Sequence, residues 1–282
     1  MADEGWTHET LIALGRDIVE QVSESGGSLE VATTRMVNPA HAPVVYGLAR
    51  HAMRQGLAVF VLYEQGLTLE AMPIVRAVYE GALTAQWVAD SREGLPAFLN
   101  HENDQRSKLA DSMAKSVSEA FRDHAPDVAR RDADRLDTIA SSQAKYFQQR
   151  CLALERVGHD GYAIFRAMSN YSHPSGLLVD QYVIERPDTE VGIALRDEAE
   201  PVEHNTWLLL AVASMMWAAR AVDIMDKHSP HRRYLRGIAT RLGVPPELRL
   251  TPEARRAEAE AEQDRRRAQW KGAKPKARPA LP

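Results

Sequence analysis

The 282-residue chain is 44% hydrophobic and 26% charged with a net charge of −4, a balance that suits a globular protein with one substantial core and excludes collagen-like, disulfide-stapled and wholly disordered classes. Its one cysteine, Cys151, leaves no internal disulfide and too few thiolates for a structural zinc site, and the acidic start MADEGWTHET predicts no signal peptide, so the expectation is a cytoplasmic protein without metal or cofactor. The longest uncharged run, Asn205–Ala219, has 15 residues; a bilayer span needs roughly 20, so it reads as a buried helix rather than a membrane segment.

In chain order, residues 6–24 carry Leu11, Leu14, Ile18 and Val22 at helical spacing, and Ser25-Gly26-Gly27-Ser28 ends that helix. A second helix begins at Asn38-Pro39 and runs to about Gln65, where Gly66 stops it. His41 and His51 on it read as ordinary surface or boundary residues. The stretch from Thr68 to Ser91 follows at once, so the two helices form an antiparallel hairpin. On a wheel of about 100° per residue, Leu69, Met72, Leu83 and Trp87 share one stripe, and Ile74, Val75, Val78, Tyr79 and Val88 cover most of the rest. Such a helix belongs at the centre of a bundle. Arg76 and Glu80 stand in the middle of its stripe, spaced i, i+4 so that their heads can meet. A charge pair in apolar surroundings is costly unless matched, so it marks either a buried structural lock or a polar site opening into the core.

From Arg92 to Val157 the chain turns polar, with sparse apolar anchors that predict two or three outer helices broken at His124-Ala125-Pro126-Asp127. Another helix spans about Asp160–Ser172. Residues 177–197 hold the only extended pattern, a small irregular or hairpin insertion in which Tyr182-Val183-Ile184 and Val191–Leu195 flank Pro187-Asp188-Thr189. The helix over 202–226 is apolar on all faces for four turns, which makes it the second central element, packed on 68–91. A helix from His231 to Leu242 stops at Gly243. Residues 251–282 then form a charged, solvated helix, supported by pairs such as Glu262 with Arg266, and a basic tail. From Asp264 onward seven lysines and arginines stand against one aspartate, a local +6 that leaves −10 on residues 1–263. The fold class is therefore all-α: a single bundle of six to eight helices over residues 1–250, followed by the charged segment.

The chemistry concentrates in YAIFRAMSNYSHPSG, residues 162–176. With Arg166 as zero on the wheel, Tyr162, Ser169, Asn170 and His173 fall within about 60° of it, so five polar side chains share a face. Pro174 ends the helix at His173, and a helix C-terminus favours the charged imidazolium that a proton donor needs. That face is either a solvated flank or, if it meets Arg76 and Glu80, one polar cluster. Ferritin-like Glu-x-x-His pairs, a G-x-S-x-G elbow, a P-loop and G-x-G-x-x-G do not occur.

The pattern Arg76-x-x-x-Glu80, an apolar run with Trp87, then Tyr162-x-x-Phe165-Arg166-x-x-Ser169-x-x-x-His173 resembles a large bacterial family of helical proteins of unknown function, over roughly residues 40–225. Arg166 and His173, with six residues between them, are also similar to the R-x(4 to 6)-H signature of HEPN domains, helical bundles that are often dimeric, metal-independent ribonucleases. The second resemblance implies a homodimer that cleaves RNA in a toxin or defence role, with Arg166 and His173 catalytic and Arg76, Glu80, Tyr162, Ser169 and Asn170 binding or supporting. The alternatives are a non-catalytic helical interaction protein, with Arg76 and Glu80 a buried pair, and a binder of a small anion.

Overall fold

The computed structural model describes residues 5–24, 30–31, 40–129, 134–200 and 205–272. The predicted starts and stops at residues 25–28, 38–39 and 202–204, and the basic tail beyond residue 272, lie outside the described residues.

Three helices form the centre: α2 (His41–Glu64), α3 (Met72–Asp90) and α10 (Thr206–Met225), each packed on the other two. α1 (His8–Glu24) lies against α10 and α2. α3 starts one turn later than its hydrophobic pattern does, because Pro73 has no N–H to donate to Leu69, and residues 68–71 form a turn instead. From there its apolar positions are buried almost without interruption, with Val75, Val78, Ala82, Leu83, Trp87 and Val88 all at 0% exposure. α10 is long and apolar enough to cross a bilayer by composition alone, but it is enclosed by α1, α2, α3 and α11 (Arg232–Leu242).

The end of α10 holds a feature that its apolar sequence hides. Arg220 is 4% exposed, bonds Asp223 one turn on, and reaches Glu247 Oε1 with Nη2 at 2.6 Å. Asp223 also accepts the His231 amide at 2.8 Å, which fixes the start of α11, and Gly243, at φ 67°, closes that helix in the left-handed conformation glycine tolerates.

The polar middle holds four helices where two or three were expected: α4 (Gly94–Ala114), α5 (Glu119–Ala129), α6 (Ser141–Lys145) and α7 (Phe147–Ala153). α6, α7 and α9 (Gly176–Asp180) have five to seven residues, too few to show a period, so the described residues hold twelve helices rather than six to eight. The break expected at His124–Asp127 is absent. α5 runs through Pro126, and the chain turns at Lys115–Ser118, where the Arg122 guanidinium binds the Ser116 and Val117 carbonyls at 2.8 and 2.7 Å. Proline removes one hydrogen bond from a helix whose surface is largely open to water, where the freed carbonyl is solvated. His41 is also not a surface residue: it is 4% exposed, with Nδ1 3.2 Å from the Val88 carbonyl, and burial lowers its pKa.

Residues 177–197 form the expected hairpin, two antiparallel strands β1 (Val183–Glu185) and β2 (Ile193–Leu195) with Ile184 opposite Ala194. The last helix, α12 (Pro252–Gly272), contains the predicted Glu262–Arg266 pair at 2.8 Å but is not simply solvated. Glu258 is 9% exposed and accepts from the Ser91 hydroxyl and, at 3.1 Å, from the Arg92 amide, and Arg265 bonds the buried Glu93. α12 docks by polar contacts, which no apolar stripe announces.

Candidate functional site

α8 (Gly158–Ser172) lies along α3 at close quarters. A Cβ at Gly161 would come within 2.9 Å of the Tyr79 hydroxyl, so only glycine allows that hydroxyl to donate to the Gly161 carbonyl at 3.2 Å. Phe165, one turn on, packs on Phe147 of α7 with ring centroids 4.3 Å apart, and Tyr162 stacks beside it at 6.1 Å. At the other end His173 is extended (φ −130°, ψ 154°), as the residue before Pro174 must be. Ser175 then donates to the Asn170 carbonyl at 2.6 Å and accepts from the Leu178 amide at 3.1 Å, tying the exit of α8 to the start of α9.

On this seat Arg76 meets α8. Its Nε donates to Ser169 Oγ at 3.0 Å, its guanidinium lies 4.3 Å over the Phe165 ring, and Nη2 stands 3.7 Å from Glu80. Ser169 Oγ donates in turn to the Phe165 carbonyl at 2.8 Å, so its lone pairs face the arginine. Arg76 and Glu80 are not a buried lock: their side chains are 23% and 39% exposed. α3 buries its other faces against α2 and α10, and the Arg76–Glu80 row falls on the rim where α8 leaves it partly open.

Of the residues singled out in the sequence, Arg76, Glu80 and Ser169 are thus in one chain of contacts, with Tyr162 joined through Phe165. Arg166, Asn170 and His173 are exposed, and among the described residues their side chains make no hydrogen bond or ion pair. Arg76 makes no polar contact with His173, which lies one turn beyond Ser169.

Two participants escaped the sequence. Phe165 supplies the aromatic plate under Arg76. Arg150, on α7, is 7% exposed and held between the rings of Trp87 and Phe147 at 5.1 and 5.7 Å, with Nη1 donating to Thr84 Oγ1 at 2.6 Å and Nη2 to the Ala144 carbonyl at 2.8 Å. Burial lowers its pKa to about 10, opposed by the charge of Glu80, so Glu80 acts on both arginines. The signal was the spacing of Phe147, Arg150 and Cys151, which puts an arginine on the buried face of α7. Burial pushes the Cys151 thiol up to about 12, so it is protonated at neutral pH and no nucleophile. Among the described residues no three His, Cys, Asp or Glu side chains are grouped so as to hold a metal ion.

The arrangement offers a guanidinium from α3 fixed on an aromatic plate from α8, and on α8 and at its end an exposed arginine and an exposed histidine without a hydrogen bond among the described residues. Guanidinium groups so exposed have the geometry that fits anion oxygens. In sequence comparison, residues 42–190 match a family described as "Family of unknown function (DUF5677)", a span that contains all of these side chains. Neither the curated proteins nor the solved structures give a match.

Proposed function

The chain belongs to this family of unknown function, and from that premise we propose that the face shared by α3 and α8 binds the RNA backbone and cleaves it without a metal ion, the chemistry that the similarity to HEPN domains implies. The supporting observation is that Arg166 and His173, exposed and without a side-chain partner among the described residues, stand on the helix of Ser169, the residue that fixes Arg76. Arg76 and Arg166 hold two oxygens of one phosphodiester, since a guanidinium fork matches that geometry. His173 takes the proton from the ribose 2′-hydroxyl as its oxygen attacks phosphorus, and returns it to the 5′-oxygen as that bond breaks. The products are a 2′,3′-cyclic phosphate and a 5′-hydroxyl.

A second reading, an anion binder without catalysis, is favoured by one detail: Arg76 is oriented by two neighbours, whereas the His173 ring has none to orient it. Binding of single-stranded RNA at low salt, followed by anisotropy alongside gel assays of cleavage, separates the two. The nuclease reading expects His173→Ala to abolish cleavage and retain binding, and Arg166→Ala to impair both. Binding without cleavage by the wild-type chain leaves the binder, and absence of both eliminates the two readings together.

A further inference from the structure

At the opposite end of α3, about 20 Å along the helix from Arg76 at 1.5 Å per residue, α12 crosses the α3–α4 junction. A cleft of about 360 Å³ opens between them, lined by Asp90, Arg92, Arg249, Arg255, Glu258 and Ala259. Its two carboxylates are satisfied from within the fold. Asp90 Oδ2 accepts the Leu250 amide at 2.7 Å and Arg255 Nη2 at 3.2 Å. Glu258 accepts from the Ser91 hydroxyl and the Arg92 amide.

The three arginines are exposed. Arg249 and Arg255 are 50% and 44% exposed, Arg249 braced by Glu247 Oε2 at 2.5 Å, and the exposed Arg92 guanidinium makes no hydrogen bond among the described residues. A single carboxylate presents one planar edge, which one guanidinium fork saturates. Three arginines, from the α3–α4 junction, the segment after α11 and α12, line this one cleft, a set that suits an anion with oxygens on several sides, and the volume is that of a small-ligand pocket. We propose that this cleft binds a compact phosphate ligand carrying at least two negative charges, of the class of inorganic pyrophosphate or a nucleoside diphosphate. The ligand bridges Arg255 of α12 to Arg92 beside the end of α3. This site is independent of the α8 face and of RNA cleavage.

The test is calorimetric titration of inorganic pyrophosphate, and separately of ADP, into the full chain at low salt. Saturable binding with one site per chain is expected. Arg92→Gln, which breaks no hydrogen bond made by that side chain, should weaken it about tenfold or more. Ala259→Trp, which fills the cleft without changing any charge, should remove it, while Arg166→Ala should bind as the wild type does. ADP binding tighter than pyrophosphate assigns the cleft to nucleotides and the reverse to free diphosphate, and either supports the proposal. It is overturned by the absence of saturable binding, by wild-type affinity in a folded Arg92→Gln or Ala259→Trp chain, or by an equal loss in Arg166→Ala.

Discussion

Two of the three central helices, α3 and α10, each carry an arginine with acidic company, and the two clusters are built in opposite ways. Below α10, Arg220, Asp223 and Glu247 are 4%, 0% and 6% exposed, and each charged head meets another or a backbone amide. On α3, Arg76 and Glu80 are several times more exposed and 3.7 Å apart, and the firmer contacts of Arg76 are neutral, a hydroxyl and an aromatic face. A cation matched on all sides inside a core is spent on holding elements together. One that is positioned by neutral groups at a rim has charge left unmatched within the fold, as the proposed binding of a phosphate requires.

The sharpest way to break this contrast is to remove one charge from the buried cluster. Arg220→Met leaves the buried Asp223 without its ion-pair partner and Glu247 with Arg249 and Arg236 alone, and should lower the unfolding free energy by about 3–5 kcal/mol in chemical denaturation; a loss below about 1 kcal/mol would make the cluster no lock at all. Acid tests the same cluster without mutation. Burial pushes the Glu247 carboxyl up, but Arg220 and Arg249 outweigh it and hold it down at about 2 against an ordinary 4.5. As pH falls, the unfolded chain therefore takes up this proton first. The stabilisation is complete above pH 4.5 and disappears on the way to about 2. Denaturation midpoints of the wild type should drop across that window, and Glu247→Gln should start lower and drop less.

The same contrast explains what could be read from the sequence. α3, α8, α10 and α11 were legible because each has enough residues for a helical period, and because Pro174 after α8 and Gly243 after α11 mark ends that backbone sterics enforce. The polar face of α8 was legible as a face, but which of its members touch α3 was not, since Gly161 and Phe165, which set the approach, are not polar. Arg220 was lost in an apolar helix because its partner Glu247 is 27 residues away, and α12 looked solvated because its anchors, Ser91 and Glu93, lie 167 and 172 residues away. Apolar periodicity reports which face is buried, and it is silent about polar contacts between distant segments.

On the α3 side the expected changes in stability are small. Arg76→Met with Glu80→Leu removes a half-exposed pair of the kind worth at most about 1 kcal/mol, together with one hydrogen bond to Ser169, and should shift the unfolding free energy by no more than about that amount while weakening RNA binding. If the double variant is instead more stable and binds as before, the pair is structural after all.

The smallest effect belongs to Arg166→Ala and His173→Ala. Both side chains are exposed and neither is hydrogen-bonded within the described residues, so each change should lie within about 0.5 kcal/mol of wild type in denaturant titrations. That silence is what gives their activity assays meaning, because a variant that folds as the parent does and no longer cleaves RNA has lost chemistry. A larger destabilisation would show that α8 relies on these residues for its seat on the bundle, and would move Arg166 and His173 to the same side of the comparison as Arg220.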